Sequence, residues 1–187
     1  DKKEIFNINY NSDGSMLVRV NKIGADGAEA VKMYERRFDP LKTKEVRLFG
    51  MDGEDKFHIA GNKDKIKLRL IGGGGSDVFE NTVKNERGGY VYDKANGKNK
   101  FIGRFTNRMS NDSGVNRFER LGYKYPFQSV FFTAGFNADD GLSLGPTFKF
   151  ISHGFRKNPY KTIHQVAATY AFSTKAFNFR YHNEFIG

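Results

Sequence analysis

The sequence has 187 residues with 19 phenylalanines, 21 glycines, four prolines and neither tryptophan nor cysteine. The lack of cysteine excludes a disulfide framework and a thiolate metal site. This composition is typical of many short β-strands, and no apolar run approaches the roughly 20 residues of a membrane-spanning helix.

The net charge of +10 raises the question of an anionic partner. Nucleic acid and anionic lipid surfaces are the usual candidates. The basic residues are scattered along predicted strands and turns, and no aromatic–basic nucleic-acid motif is present. We therefore predict no nucleic-acid partner and interpret the charge as a solvated surface whose lysines discourage edge aggregation. Contact with lipid headgroups is the second option.

The pattern of residues 4–42 predicts a β-meander. Three strands, Ile5–Tyr10, Met16–Ile23 and Ala30–Phe38, are separated by turns rich in asparagine, aspartate and glycine, which is a hairpin signal. The third segment also has fair helix propensity. Asp39-Pro40 ends it.

Residues 44–58 and 66–80 form an internal repeat with an offset of 22 residues. Each copy begins with a strand in which apolar and charged residues alternate. A glycine–aspartate turn and a second strand follow. The matched pairs are Val46/Leu68, Arg47/Arg69, Gly50/Gly72, Gly53/Gly75, Asp55/Asp77 and Phe57/Phe79. The repeat predicts two stacked coils of a β-solenoid-like domain.

The turn of the second copy, residues 72–80, fits the nonapeptide of RTX calcium-binding β-rolls, and in the first copy Met51 replaces the second glycine. Aspartate supplies the hard oxygen ligands that Ca²⁺ prefers. The candidate ligands are Asp52, Asp55 and Asp77. The alternative is a structural turn in which aspartate bonds nearby amides, and both interpretations stay open.

The composition changes after residue 105. The polar segment 106–125 shows no sustained period, which predicts a linker between a β-domain at 1–105 and a second part at 126–187. The second part predicts four long strands: Ser129–Phe136, Leu142–Ser152, Thr162–Phe172 and Ala176–Phe185.

The last of these strands has two contrasting faces. Phe177, Phe179, Tyr181 and Phe185 alternate with polar and charged residues. Strands of about ten residues with one apolar-aromatic face and one polar face are the pattern of transmembrane β-barrels. We therefore predict that these four side chains face the membrane. The alternative is a water-soluble sandwich or barrel.

The chain resembles part of an outer-membrane protein. Tyr125-Pro-Phe, residues 134–145, Gly154-Phe-Arg-Lys-Asn-Pro-Tyr160 and residues 167–172 look like the opening strands of a BamA-type (surface antigen) barrel. Upstream, residues 34–40, 43–50 and the Gly72 turn look like the region before such barrels in Bacteroidetes proteins. There, a calcineurin-like phosphoesterase or patatin-like domain is often joined to the barrel.

The resemblance implies an all-β piece of a larger protein, with four antiparallel strands of an incomplete barrel. Its implied location is the outer membrane of a Gram-negative envelope, with a periplasmic portion. The partners would be membrane lipid, the remaining barrel strands, or a second copy associating through an open strand edge.

No catalytic motif accompanies this resemblance. Phosphoesterase metal motifs and a Gly-x-Ser-x-Gly elbow are absent from the sequence, and His153, His164 and His182 have no ligand spacing. We therefore expect a non-catalytic anchoring segment that links a periplasmic domain to the barrel, with Ca²⁺ as an optional ion. The alternative is a soluble calcium- or carbohydrate-binding β module.

Overall fold

The computed structural model describes residues 3–25, 27–62, 65–83 and 86–186. These residues form fourteen β-strands and one four-residue helix, which confirms the predicted all-β class. The chain divides into two compact units, Asp1–Phe118 and Glu119–Gly187.

The first unit consists of two sheets. Its elements are β1 (Glu4–Tyr10), β2 (Met16–Ile23), β3 (Glu29–Phe38), β4 (Glu45–Phe49), β5 (Lys56–Gly61), β6 (Lys67–Ile71), β7 (Val78–Asn81), β8 (Tyr90–Tyr92), β9 (Lys100–Ile102), β10 (Thr106–Asn107) and α1 (Ser113–Asn116). One sheet has the order β3-β2-β1-β5-β7-β9 and the other the order β10-β8-β6-β4. The predicted meander, β1 to β3, therefore belongs to the same sheet as one strand from each copy of the repeat.

From β4 to β10 the chain alternates between the two sheets, and those of these seven strands that are neighbours in a sheet run parallel to each other. Val46 lies opposite Leu68, and Phe57 lies opposite Phe79. These are the pairs that the sequence matches at an offset of 22. The first strand, β1, also runs parallel to β5, with Phe6 opposite Phe57.

The core of the first unit contains a row of stacked phenylalanines. The ring centroids of Phe6 and Phe57 are 4.5 Å apart, those of Phe57 and Phe79 5.0 Å, and those of Phe79 and Phe101 5.3 Å. Stacked aromatic pairs contribute about 0.5–1.5 kcal/mol each beyond the burial of their area. The row therefore ties β1, β5, β7 and β9 together.

The first unit extends further along the chain than the sequence predicts. Residues 106–118 were expected to be part of a linker, but β10 in this segment pairs with β8. In addition, the ring centroids of Phe118 and Phe49 are 5.1 Å apart. The boundary between the units falls at residue 118, inside the predicted linker. Polar composition hid this packing because only a few side chains of the segment, such as Met109, reach the core.

The second unit is one antiparallel sheet of four long strands. They are β11 (Phe127–Asn137), β12 (Gly141–Ser152), β13 (Thr162–Ala171) and β14 (Ala176–Phe185), in the order β11-β12-β13-β14. The Asn137 side chain accepts hydrogen bonds from the backbone N–H groups of Asp139 and Asp140, which shapes the tight turn between β11 and β12. In the described sheet, β11 and β14 are the two edge strands.

Candidate functional site

The register of the second unit gathers its apolar side chains on one face. Residues directly opposite each other in an antiparallel sheet project from the same face. Val130 pairs with Phe148, which pairs with Val166, which pairs with Tyr181. The apolar face, named so from here on, consists of Val130, Phe132, Ala134, Phe136, Leu142, Leu144, Pro146, Phe148, Phe150, Val166, Ala168, Tyr170, Phe177, Phe179, Tyr181 and Phe185.

The apolar face is exposed. Phe177, Phe179, Tyr181 and Phe185, predicted to face the membrane, retain 70, 78, 61 and 64% of their accessible surface. Phe136, on the far strand, retains 80%. An apolar surface that continues across four strands is the kind of patch that marks a protein- or membrane-interaction site.

Three polar groups on the apolar face, those of His164, Tyr181 and Asn183, are paired with one another. His164 Nδ1 lies 2.8 Å from the Tyr181 hydroxyl, and the Asn183 amide donates to the same hydroxyl at 3.4 Å. Satisfied polar groups are the condition for placing such side chains against hydrocarbon, where water cannot replace a missing partner.

The opposite face of the sheet has a different chemistry. It includes Arg180, His182 and Glu184 on β14, and a contact of 2.7 Å between the hydroxyls of Thr133 and Thr147. Small residues lie among them, and the polar character is interrupted by Phe127, Phe131, Ile151 and Ile163. One face of the sheet is therefore apolar and the other mostly polar, as the alternation of residues in β14 predicts.

No helix among the described residues is long and apolar enough to cross a membrane.

A second candidate site lies in the turns of the first unit, where side chains bond the backbone of the neighbouring strand. The Oδ1 atom of Asp77 accepts from the Asp55 backbone N–H at 2.8 Å, and Oδ1 of Asn99 accepts from the Asp77 N–H at 2.8 Å. Oδ1 of Asp55 accepts from the Glu4 N–H at 2.9 Å. Asp55, Asp77 and Asn99, spaced 22 residues apart, thus form one side-chain ladder that joins successive strands of the sheet.

Three carboxyl groups at this ladder are buried. Asp55, Asp77 and Asp93 expose 0, 1 and 1% of their surface, and their Oδ2 atoms have no hydrogen-bond partner among the described residues. Burial raises the pKa of Asp55 to about 7. It also raises the pKa values of Asp77 and Asp93, and the neighbouring carboxyl group of Asp93 raises that of Asp77 further. A proton shared between Asp77 and Asp93 would remove one buried charge and would give their Oδ2 atoms a hydrogen bond.

The carboxyl groups explain the glycines at the start of each turn. A Cβ on Gly72 would lie 2.1 Å from Oδ2 of Asp93 and 2.2 Å from Oδ2 of Asp77, and one on Gly50 would lie 2.3 Å from Oδ2 of Asp55. Glycine is needed at positions 50 and 72 because a Cβ atom there would overlap the carboxyl oxygens. The left-handed conformation falls one residue later, at Gly73 with φ of 100° and at Met51 with φ of 73°.

The structure brings together two of the three predicted calcium ligands. Asp55 and Asp77 are linked through the ladder, whereas Asp52 is exposed and pairs through its backbone with Gly74. No group of three or more histidine, aspartate and glutamate side chains in the described parts of the chain is arranged to hold a metal ion. Calcium binding therefore stays a prediction.

Two members of this site were missed at the sequence level. Asn99 lies 22 residues after Asp77, so the spacing of the repeat could have identified it. Asp93 occupies the place of Gly72 on the next strand, since Ile71 lies opposite Tyr92. The offset there is 21, and this change of one residue hides Asp93 from an alignment at constant spacing.

Comparison of the chain with protein-family models, with curated proteins and with solved structures gave no match.

Proposed function

We propose that the second unit is a membrane-spanning part of an outer-membrane β-barrel. The observation that carries the proposal is the exposed apolar face, backed by a polar face on the same four strands. The strands are 10 to 12 residues long, which suits the roughly 9 to 11 residues that a tilted strand needs to cross a bilayer. Lipid covers the apolar face, and further barrel strands pair with the edges of β11 and β14.

In this proposal the first unit is a non-catalytic periplasmic β-domain of solenoid-like coils. Its parallel strands, phenylalanine row and side-chain ladder make a rigid body suited to connecting a further domain to the barrel. Its role is mechanical, and the Gram-negative envelope is its location.

Flotation with lipid vesicles tests the proposal. We expect the chain, refolded in the presence of phosphatidylcholine vesicles, to float with them, because burial of the apolar face stabilises the bound state. In buffer alone we expect large aggregates, since the face and two strand edges are open, and a detergent should disperse them. A chain that is monodisperse without detergent and stays at the bottom of the gradient would contradict the proposal.

The runner-up function is a soluble calcium-binding module. The unpartnered Oδ2 atoms of Asp55 and Asp77 favour it, because a cation is one way to satisfy buried carboxylates. Such a module would stay out of the lipid fraction, and millimolar Ca²⁺ would raise its melting temperature. The Asp55→Ala/Asp77→Ala variant would lose that increase.

A further inference from the structure

The two ends of the second unit differ in charge. At the end where β11 begins and β14 finishes, segments 119–126 and 153–161 carry five basic residues against one acidic residue: Arg120, Lys124, Arg156, Lys157 and Lys161 against Glu119. At the other end, segments 138–140 and 172–175 carry Asp139, Asp140 and Lys175. One end of the sheet is therefore strongly basic and the other slightly acidic.

Two lysines of the basic end lie side by side. A Cβ on Gly154 would lie 3.0 Å from Cγ of Lys157 and 3.3 Å from Cβ of Lys161, so both side chains leave the backbone next to the same glycine. No described residue forms an ion pair with either ammonium group. Arg156, in contrast, lies 3.5 Å from Glu119, and its guanidinium lies over the Phe155 ring.

The lysine pair is attached to the border of the apolar face. The Lys161 N–H bonds to the Ser152 carbonyl at 2.8 Å, and the Lys161 carbonyl accepts from the Ile186 N–H at 3.0 Å, directly after Phe185. Hydrogen bonds on both sides of Lys161 fix its backbone between the end of β12 and the end of β14. The positive charge of Lys161 is therefore attached at the end of the sheet where the apolar face ends.

Aromatic side chains accompany the basic end. Tyr123 and Tyr125 are 54 and 77% exposed, and their rings meet edge to face at 4.9 Å. Tyrosine with an apolar ring and a polar hydroxyl is suited to the boundary between hydrocarbon and headgroups. Lysine side chains at the same level can extend their ammonium groups toward lipid phosphates.

We propose that the basic end of the second unit, centred on Lys157 and Lys161, binds the phosphate groups of anionic phospholipids at the surface of the bilayer that the apolar face enters. This rests on the proposed membrane function and adds a lipid class and an orientation to it. Each lysine near an anionic surface is worth roughly a fivefold change in membrane affinity at moderate ionic strength.

The test uses the full chain and two vesicle compositions, phosphatidylcholine alone and phosphatidylcholine mixed with phosphatidylglycerol. We expect tighter binding to the anionic vesicles, with a preference that falls as salt is raised. In the Lys157→Gln/Lys161→Gln variant that preference should fall roughly 25-fold, and binding to neutral vesicles should match that of the unchanged chain. The control, Lys42→Gln/Lys98→Gln, removes the same charge from the first unit and should retain the preference.

Three outcomes overturn the inference, and each is separable from failure of the membrane function. An equal loss in the control variant would assign the preference to net charge. An unchanged preference in the lysine variant would remove these two residues from the account. Competition by inorganic phosphate beyond that of sodium chloride at equal ionic strength would point to a free-phosphate site. If the unchanged chain binds neither vesicle, the proposed function itself fails.

Discussion

Replacing Phe177, Phe179 and Tyr181 together by serine is expected to abolish partitioning of the chain into lipid and detergent. These side chains are adjacent on β14 and largely exposed on the apolar face. Burial of one large apolar side chain is worth about 1.5–3 kcal/mol, so the loss of three should lower the partition constant by about a thousandfold or more. Vesicle flotation and detergent-phase separation measure it.

The matched control lies on the other side of the same strand. Asn178→Ser, Arg180→Ser and His182→Ser change three alternating residues of β14 whose side chains belong to the polar face. We expect this variant to partition as the unchanged chain does. Equal loss in both triple variants would indicate that β14 needs its sequence for folding, and unchanged partitioning in the aromatic variant would refute the membrane assignment.

The second large effect concerns pH and the first unit. The pKa of Asp55 is raised from 3.8 to about 7, and those of Asp77 and Asp93 are raised as well, chiefly by burial. The folded state therefore binds protons that the unfolded state releases. The stabilisation that comes from this proton binding is fully present below about pH 4 and is lost as pH rises through 7 and beyond. The free energy of unfolding falls by up to about 1.4 kcal/mol per pH unit for each proton.

Amide hydrogen exchange at β5 and β7, corrected for its intrinsic pH dependence, measures this change within the first unit. We expect protection to decrease between pH 5 and pH 8. The charged groups acting on the three aspartates are one another, Glu4 and Lys94, and Asn99 is the neutral hydrogen-bonding neighbour.

Asp77→Asn should flatten this dependence. Asparagine keeps the Oδ1 acceptor for the Asp55 N–H, and its amide can donate to Asp93 without needing a proton from solution. Asn99 already fills the equivalent role on the next strand. We therefore expect the variant to be more protected than the unchanged chain at pH 8. The control is Asp52→Asn, an exposed residue of the same turn region, and an unaltered slope in Asp77→Asn would contradict the proton assignment.

The sequence predicts well what depends on alternation and spacing. The bounds of β12 and β14 need nothing beyond a period of two and turn residues, and the pairing of Val46 with Leu68 follows from the offset of 22. The exposed side chains of the apolar face follow from the same alternation once membrane-type strands are assumed. Each of these features depends either on the alternation of neighbouring residues or on the internal repeat.

The remaining features depend on contacts between distant segments. The parallel pairing of β1 with β5 brings Phe6 opposite Phe57 and lets the Glu4 N–H donate to Asp55. Neither segment carries a sequence signal that identifies the other as its partner. The buried position of Asp93 arises from a one-residue change in spacing. At Gly50 and Gly72, carboxyl groups of distant residues occupy the space that a Cβ would need, and the turn sequence alone does not indicate this.

The central claim is that lipid covers one face of the second unit and not the other. The chain has no tryptophan, so a single introduced indole reports on one position. We expect Phe179→Trp, on the apolar face of β14, to be quenched strongly by brominated phosphatidylcholine, and Asn178→Trp, its exposed neighbour on the polar face, to be quenched weakly. Equal quenching of the two, or none of either in vesicles that bind the chain, would contradict the account.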